Sequence, residues 1–212
     1  MNTRKKTLFL TQFSILLAIE AIFCFTPLGS LPAFGPIVMT LAHIPVILTA
    51  IMLGTGAGTL MGLFTGIFSF LVWTFAPPNP IAAFIFTPFY SMGEFQGNFG
   101  SLLICFVPRI LMGAVAGLVF HKTPRLSNKL DWLRYVLSGI FGSLTNTLLV
   151  MLGIYVFFAS AFESAMGIAV YIYIGSTILT SGLPEAAAAA VVALVVCKPL
   201  KKALDKGART AS

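Results

Sequence analysis

Residues 42–69 read AHIPVILTAIMLGTGAGTLMGLFTGIFS, and the way this stretch breaks in the middle decides the fold. The first apolar run, Ile44–Leu53, extends back through Ile37–Leu41, and it is long enough to cross a bilayer only with His43 and Pro45 inside it. Gly54-Thr55-Gly56 then interrupts the run, two glycines permitting a tight turn without Cβ strain. Beyond the turn, Gly58, Gly62 and Gly66 recur at four-residue spacing. They therefore share one face of a helix and leave a groove where a neighbouring backbone can approach closely. The stretch predicts two membrane-crossing helices, joined by a very short turn and packed in a compact bundle.

Composition extends this reading to the whole chain. Of 212 residues, 58% are hydrophobic and only 9% charged, with a mean hydropathy of +0.99. A soluble domain carries about 25% charged residues. The predicted class is an all-α polytopic membrane bundle, a single membrane domain over residues 1–212 with six transmembrane helices at about 8–27, 37–53, 57–75, 101–120, 135–158 and 176–197. The net charge of +7 does not mark a nucleic-acid partner, because the basic residues cluster beside apolar spans. They fall at Arg4, Lys5 and Lys6, at Lys122, Arg125, Lys129 and Arg134, and at Lys198, Lys201, Lys202, Lys206 and Arg209. By the positive-inside rule this distribution predicts both termini in the cytoplasm and membrane lipid as the surroundings. The three cysteines, Cys24, Cys105 and Cys197, sit in or at the end of apolar runs and form neither a disulfide framework nor a metal spacing.

The basic start followed by Leu8–Pro27 reads as the first transmembrane helix rather than a cleaved leader, because the apolar region is too long and lacks a small-x-small site before Pro27. Ser14 and Ala18, with Ala21 nearby, form a smooth face for another helix. Glu20 lies deep in this span, where a carboxylate is either functional or paired. An external loop, Phe25–Pro36, follows. Residues 76–100, APPNPIAAFIFTPFYSMGEFQGNFG, are too apolar for a free loop and too broken by proline for a spanning helix. Such a segment either lines or covers a cavity or forms an interfacial aromatic belt.

Arg109 alone among the 13 Lys and Arg residues lies outside the basic clusters, one or two turns into a span and directly after Pro108. An arginine at that depth needs a carboxylate or carbonyl partner, supplied by the protein (Glu20, Glu94) or by a ligand. Asn146 falls near the middle of the fifth span and is costly there unless hydrogen-bonded. Ala159–Ile174 reads as an external, weakly amphipathic stretch. Pro184 reads as a helix start, with Glu185 either favouring the positive helix end or contacting a ligand at the external mouth.

Several chemistries have no residues to carry them. There is no G-x-x-x-x-G-K-[ST] loop for ATP, no H-E-x-x-H metal motif, and no G-x-S-x-G elbow. No metal set or bound cofactor is expected. A membrane enzyme and an assembly factor stay open as alternatives to transport. The enzyme predicts turnover by the purified protein alone, and the assembly factor predicts no stabilising ligand.

The run TPLGSLPAFGPIVMTLAHIPVILTAIMLGTGAGTLMGLFTGIFS, with the later PRILMG, GSLTNT and GLPEA, resembles the S components of energy-coupling factor (ECF) vitamin transporters over nearly the whole chain. The resemblance implies a substrate-binding subunit that captures a vitamin from outside, docks on an ECF transmembrane subunit carrying two cytoplasmic ATPases, and topples to deliver it. ATP is then used by the partners. The family's docking alanines correspond to Ser14 and Ala18, the first replaced here by serine. His-Ile-Pro and PRILMG are most like the pantothenate-specific branch. That implies a site with Arg109 on the carboxylate and Asn98 and Asn146 as amide partners, with His43, Glu185, Trp73 and Tyr90 nearby. Aromatic residues such as Trp73, Phe89 and Tyr90 equally suit riboflavin, pyridoxine, thiamine or hydroxymethylpyrimidine. The implied location is the plasma membrane of a prokaryote.

Overall fold

The computed structural model describes residues 3–26, 41–93, 95–124 and 130–203. Apart from one two-residue hairpin, its regular elements are helical, and an all-helical membrane bundle is what the apolar spans predict. Helix α1 is Thr3–Phe25, α2 His43–Leu53 and α3 Thr55–Phe75. A 3-10 turn at Pro80–Ala82, a short α4 at Ala83–Phe86 and the strands β1 (Ser91–Met92) and β2 (Phe95–Gln96) follow. Then come α5 (Phe99–Lys122), α6 (Trp132–Met166), α7 (Val170–Thr177) and α8 (Leu183–Val192).

Among the described residues, five helical runs are long and apolar enough to cross a membrane: Lys6–Phe25, Thr55–Phe75, Phe99–Lys122, Trp132–Ser164 and Val170–Ala203. The stretch expected to span over 37–53 differs. Its described helix, α2, has 11 residues and is about 16 Å long at 1.5 Å per residue, half of a hydrocarbon core. Leu41 and Ala42 precede it as a bend and a turn, and residues 37–40, with the loop expected at Phe25–Pro36 beyond Thr26, lie outside the described residues. The expected turn is where the sequence puts it: Gly54 adopts φ +102°, a conformation that L side chains rarely adopt, and α3 begins at the next residue.

The glycine stripe packs as its spacing predicts. A Cβ on Gly58 would meet Ala50, one on Gly62 would meet the Arg109 carbonyl, and one on Gly66 the Phe106 ring. Reciprocally, a Cβ on Gly113 would run into the Gly58 carbonyl. Helices α3 and α5 are therefore in backbone contact, α5 lies along α6, and α8 along α6. Ser138 Oγ stitches α6 to α5 by donating to the Ala116 carbonyl at 2.7 Å.

The stretch Ala159–Ile174 is largely helical: α6 continues to Met166, ends at Gly167 in the left-handed conformation (φ +65°), and α7 starts three residues later. Pro184 takes the helix-start position expected of it, second in α8, although α8 itself continues the run Val170–Ala203. Proline lacks an N–H and its ring clashes with the carbonyl four residues back. The π-helical turn Ile178–Gly182 directly before α8 takes up that misfit.

Two hydrophobic clusters form the core. One joins α1, α2, α3, α5, α6 and α8 through Phe13, Ile47, Met61, Phe120, Tyr135 and Ala189. At its edge, Lys201 Nζ and the Arg134 guanidinium both lie over the Phe120 ring, at 4.5 and 4.3 Å. Lys201 also donates to the Ile51 carbonyl at 3.2 Å, near the end of α2. The other cluster gathers Phe84, Phe86, Ile104, Ile154, Phe158 and Phe162. Residues 82–87 of the proline-broken segment are thus buried in the bundle. Ser101 Oγ donates to the Phe84 carbonyl at 2.7 Å, and Thr74 and Thr87 share a hydroxyl hydrogen bond at 2.8 Å.

Candidate functional site

A cavity of about 120 Å³ lies between the two clusters, with Met112 from one and Phe86, Val150 and Met151 from the other in its wall. One water needs roughly 10–15 Å³ measured in the same way, so the space is of ligand scale. Helical periodicity assembles it. On α3, Thr65, Ser69, Val72 and Trp73 follow the spacing of a single helical face, as do Asn146 with Val150 and Thr147 with Met151 on α6. Thr177, Ser181 and Glu185 also come at four-residue steps, and the π turn between them keeps all three facing the cavity. His43 enters from the first turn of α2, and Phe23 and Cys24 from the end of α1.

Arg109 is the cation of the wall. Its Nη1 donates to the Ile104 carbonyl at 2.7 Å, and its guanidinium lies 5.5 Å from the centre of the Phe86 ring. Phe86 is in turn stacked on Trp73 with centroids 4.4 Å apart. Glu185, 8% exposed, faces the same cavity and lies within electrostatic reach of Arg109. Asn146 presents a buried Oδ1 that has no hydrogen-bond partner among the described residues. An unmet acceptor in a low-dielectric site is costly unless something docks against it. Glu20 stands behind the wall rather than in it. It is fully buried and accepts the Cys24 thiol at 3.3 Å, while Cys24 and Thr65 face the space.

Of the residues singled out in the sequence, Arg109, Asn146, Glu185, His43 and Trp73 therefore converge on one cavity. Asn98 and Tyr90 do not. Asn98 caps α5: its Oδ1 accepts the Gly100 N–H at 2.7 Å, and its own N–H donates to Ser101 Oγ at 3.0 Å. An Asn before an apolar helix is more simply a cap than a ligand contact. The half-buried Tyr90 belongs to the hairpin, its carbonyl accepting the Gly97 N–H at 3.2 Å. Glu94, a possible partner for Arg109, lies outside the described residues. Sequence reasoning missed Thr65, Met112 and Ser181 as wall residues, although Ser181 is four residues before Glu185 and Met112 three after Arg109. Ser14 and Ala18 are exposed on α1, with Ala21 half-buried.

Residues 8–197 match the family described as "ECF transporter, substrate-specific component". Over 169 residues, 79% of this chain and 80% of the relative, the sequence is 32% identical to the "Pantothenic acid transporter PanT" of Lactococcus lactis subsp. cremoris (strain MG1363). The family is a substrate-binding component of transporters and not an enzyme, so the membrane-enzyme alternative falls away. With its long apolar helices and a match running from the first span to the last, the chain is a multi-pass membrane protein that belongs to the substrate-specific components of ECF transporters.

Proposed function

We propose that this chain captures pantothenate from outside the cell and hands it to an ECF energising module. The observation that carries the substrate is the set of complementary groups around one cavity: Arg109, Glu185 and the unmet Asn146 Oδ1. Pantothenate offers a carboxylate, an amide and two hydroxyls. The guanidinium suits the carboxylate, Glu185 accepts from a hydroxyl, and Asn146 Oδ1 accepts from the amide N–H or the other hydroxyl. The pantothenic acid transporter that is 32% identical supports the same substrate. The short α2 belongs to the second of six spans, with both termini in the cytoplasm of a prokaryote, as one membrane domain. The exposed Ser14–Ala18 face then docks on the ECF transmembrane subunit. Two partner ATPases supply the energy, and the chain itself needs no cofactor.

A second reading keeps the role and changes the vitamin. The stacked Trp73–Phe86 pair in the wall favours a flat ring such as riboflavin, pyridoxine, thiamine or hydroxymethylpyrimidine. Thermal shift of the purified protein against a vitamin panel, followed by calorimetry, separates the two, because a ligand that binds the folded state raises its melting point. Stabilisation by pantothenate is expected. Stabilisation by a flat vitamin alone transfers the assignment to the second reading, and no stabilisation by any vitamin overturns both.

A further inference from the structure

Pro108 carries no N–H, so it deprives one α5 carbonyl of its helical donor, and that carbonyl belongs to Ile104, four residues back. Inside a membrane bundle an unmet backbone carbonyl is costly and must find a donor elsewhere. It finds one in the residue that follows the proline: Arg109 Nη1 donates to the Ile104 carbonyl at 2.7 Å. The guanidinium is thereby tethered to its own helix on one edge, while the Phe86 ring at 5.5 Å bounds its face. Arg109 itself lines the cavity.

We propose that Pro108 is a positioning residue for carboxylate recognition: it frees the Ile104 carbonyl, and that carbonyl holds the Arg109 guanidinium in its binding orientation. The inference rests on the reading of Arg109 as the carboxylate anchor. A long, flexible arginine ordered before the ligand arrives loses less conformational freedom on binding. In Pro108→Ala the restored backbone N–H competes for the same carbonyl, releasing the side chain from its tether.

The test compares pantothenate with pantothenol, the alcohol that lacks the carboxylate, by calorimetry on wild type, Pro108→Ala, the bulkier Pro108→Val, and Arg109→Gln. Both proline variants are expected to keep or raise the melting temperature, since each regains a helical hydrogen bond. Both should weaken pantothenate by about tenfold, the order of one misplaced charge-assisted hydrogen bond, and leave pantothenol unchanged. Equal weakening of the two ligands would mean that Pro108 only packs, and unchanged selectivity in both proline variants would also overturn the proposal. If Arg109→Gln collapses the selectivity and the proline variants do not, the positioning role fails alone. If Arg109→Gln leaves selectivity intact, Arg109 is not the anchor and both readings fail.

Discussion

Arg109 and Asn146 are two polar residues at depth that the bundle treats differently. Arg109 is partly satisfied from within, by a carbonyl and an aromatic face. Asn146 Oδ1 meets no donor among the described residues. Replacing Asn146 with the near-isosteric Leu should therefore stabilise the ligand-free protein by about 1 kcal/mol, because a buried unmet acceptor disappears. The same change should weaken pantothenate tenfold or more. Opposite signs in thermal unfolding and calorimetry are the signature of a ligand contact; a fall in both would make Asn146 structural. Arg109→Lys should also lose at least tenfold in pantothenate affinity, since an ammonium cannot form the planar two-point contact with a carboxylate. Retained affinity in the Lys variant would argue for simple charge attraction.

Among the elements, the pair α3 and α5 positions the site. Because a Cβ at Gly62 would meet the Arg109 carbonyl and approach the Ile110 backbone within 3.0 Å, the glycine stripe sets how near the Arg109 turn lies to α3. Gly62→Ala should cost about 1–3 kcal/mol of stability, the range for overpacking, and weaken ligand binding by displacing that turn. Gly54→Ala meets no neighbour within 4 Å among the described residues, yet its φ of +102° makes it strained by about 1–3 kcal/mol. That variant should unfold at lower temperature with ligand affinity preserved. Chemical unfolding in detergent, read beside calorimetry, distinguishes the two: one glycine change should move both observables and the other only stability.

For the whole molecule, the two hydrophobic clusters and the cavity between them, with its few polar groups, separate the proposed tasks of holding the bundle together and binding the ligand. The face of α1 carrying Ser14 and Ala18 is exposed, as a face reserved for another membrane helix would be. Ala18→Trp should leave pantothenate binding by the isolated protein within about twofold, because the site of substitution faces away from the cavity. It should abolish ATP-driven uptake in vesicles reconstituted with the energising module. Uptake that survives the tryptophan would put the docking face elsewhere.

Composition and hydrophobic run length were enough to make this a membrane helical bundle, since an all-apolar helix satisfies its own backbone and needs no distant partner. The glycine spacing foretold a close helix contact on that face of α3 for the same local reason: residues four apart share a face whatever surrounds them. That the partner is α5 came from the structure. Arg109 and Asn146 could be singled out because polar groups are rare and expensive at that depth, and Glu185 because it follows Pro184 at the expected external mouth. What only the tertiary structure decided is which of the polar residues meet. Asn98 looked no different from Asn146 until its side chain was found closing the start of α5, and nothing in the order of residues announced the π turn that precedes the helix start at Pro184. A cap and a widened turn are choices between local and long-range partners for the same groups. Those choices depend on what the rest of the bundle brings within hydrogen-bond distance, which the linear order of residues does not contain.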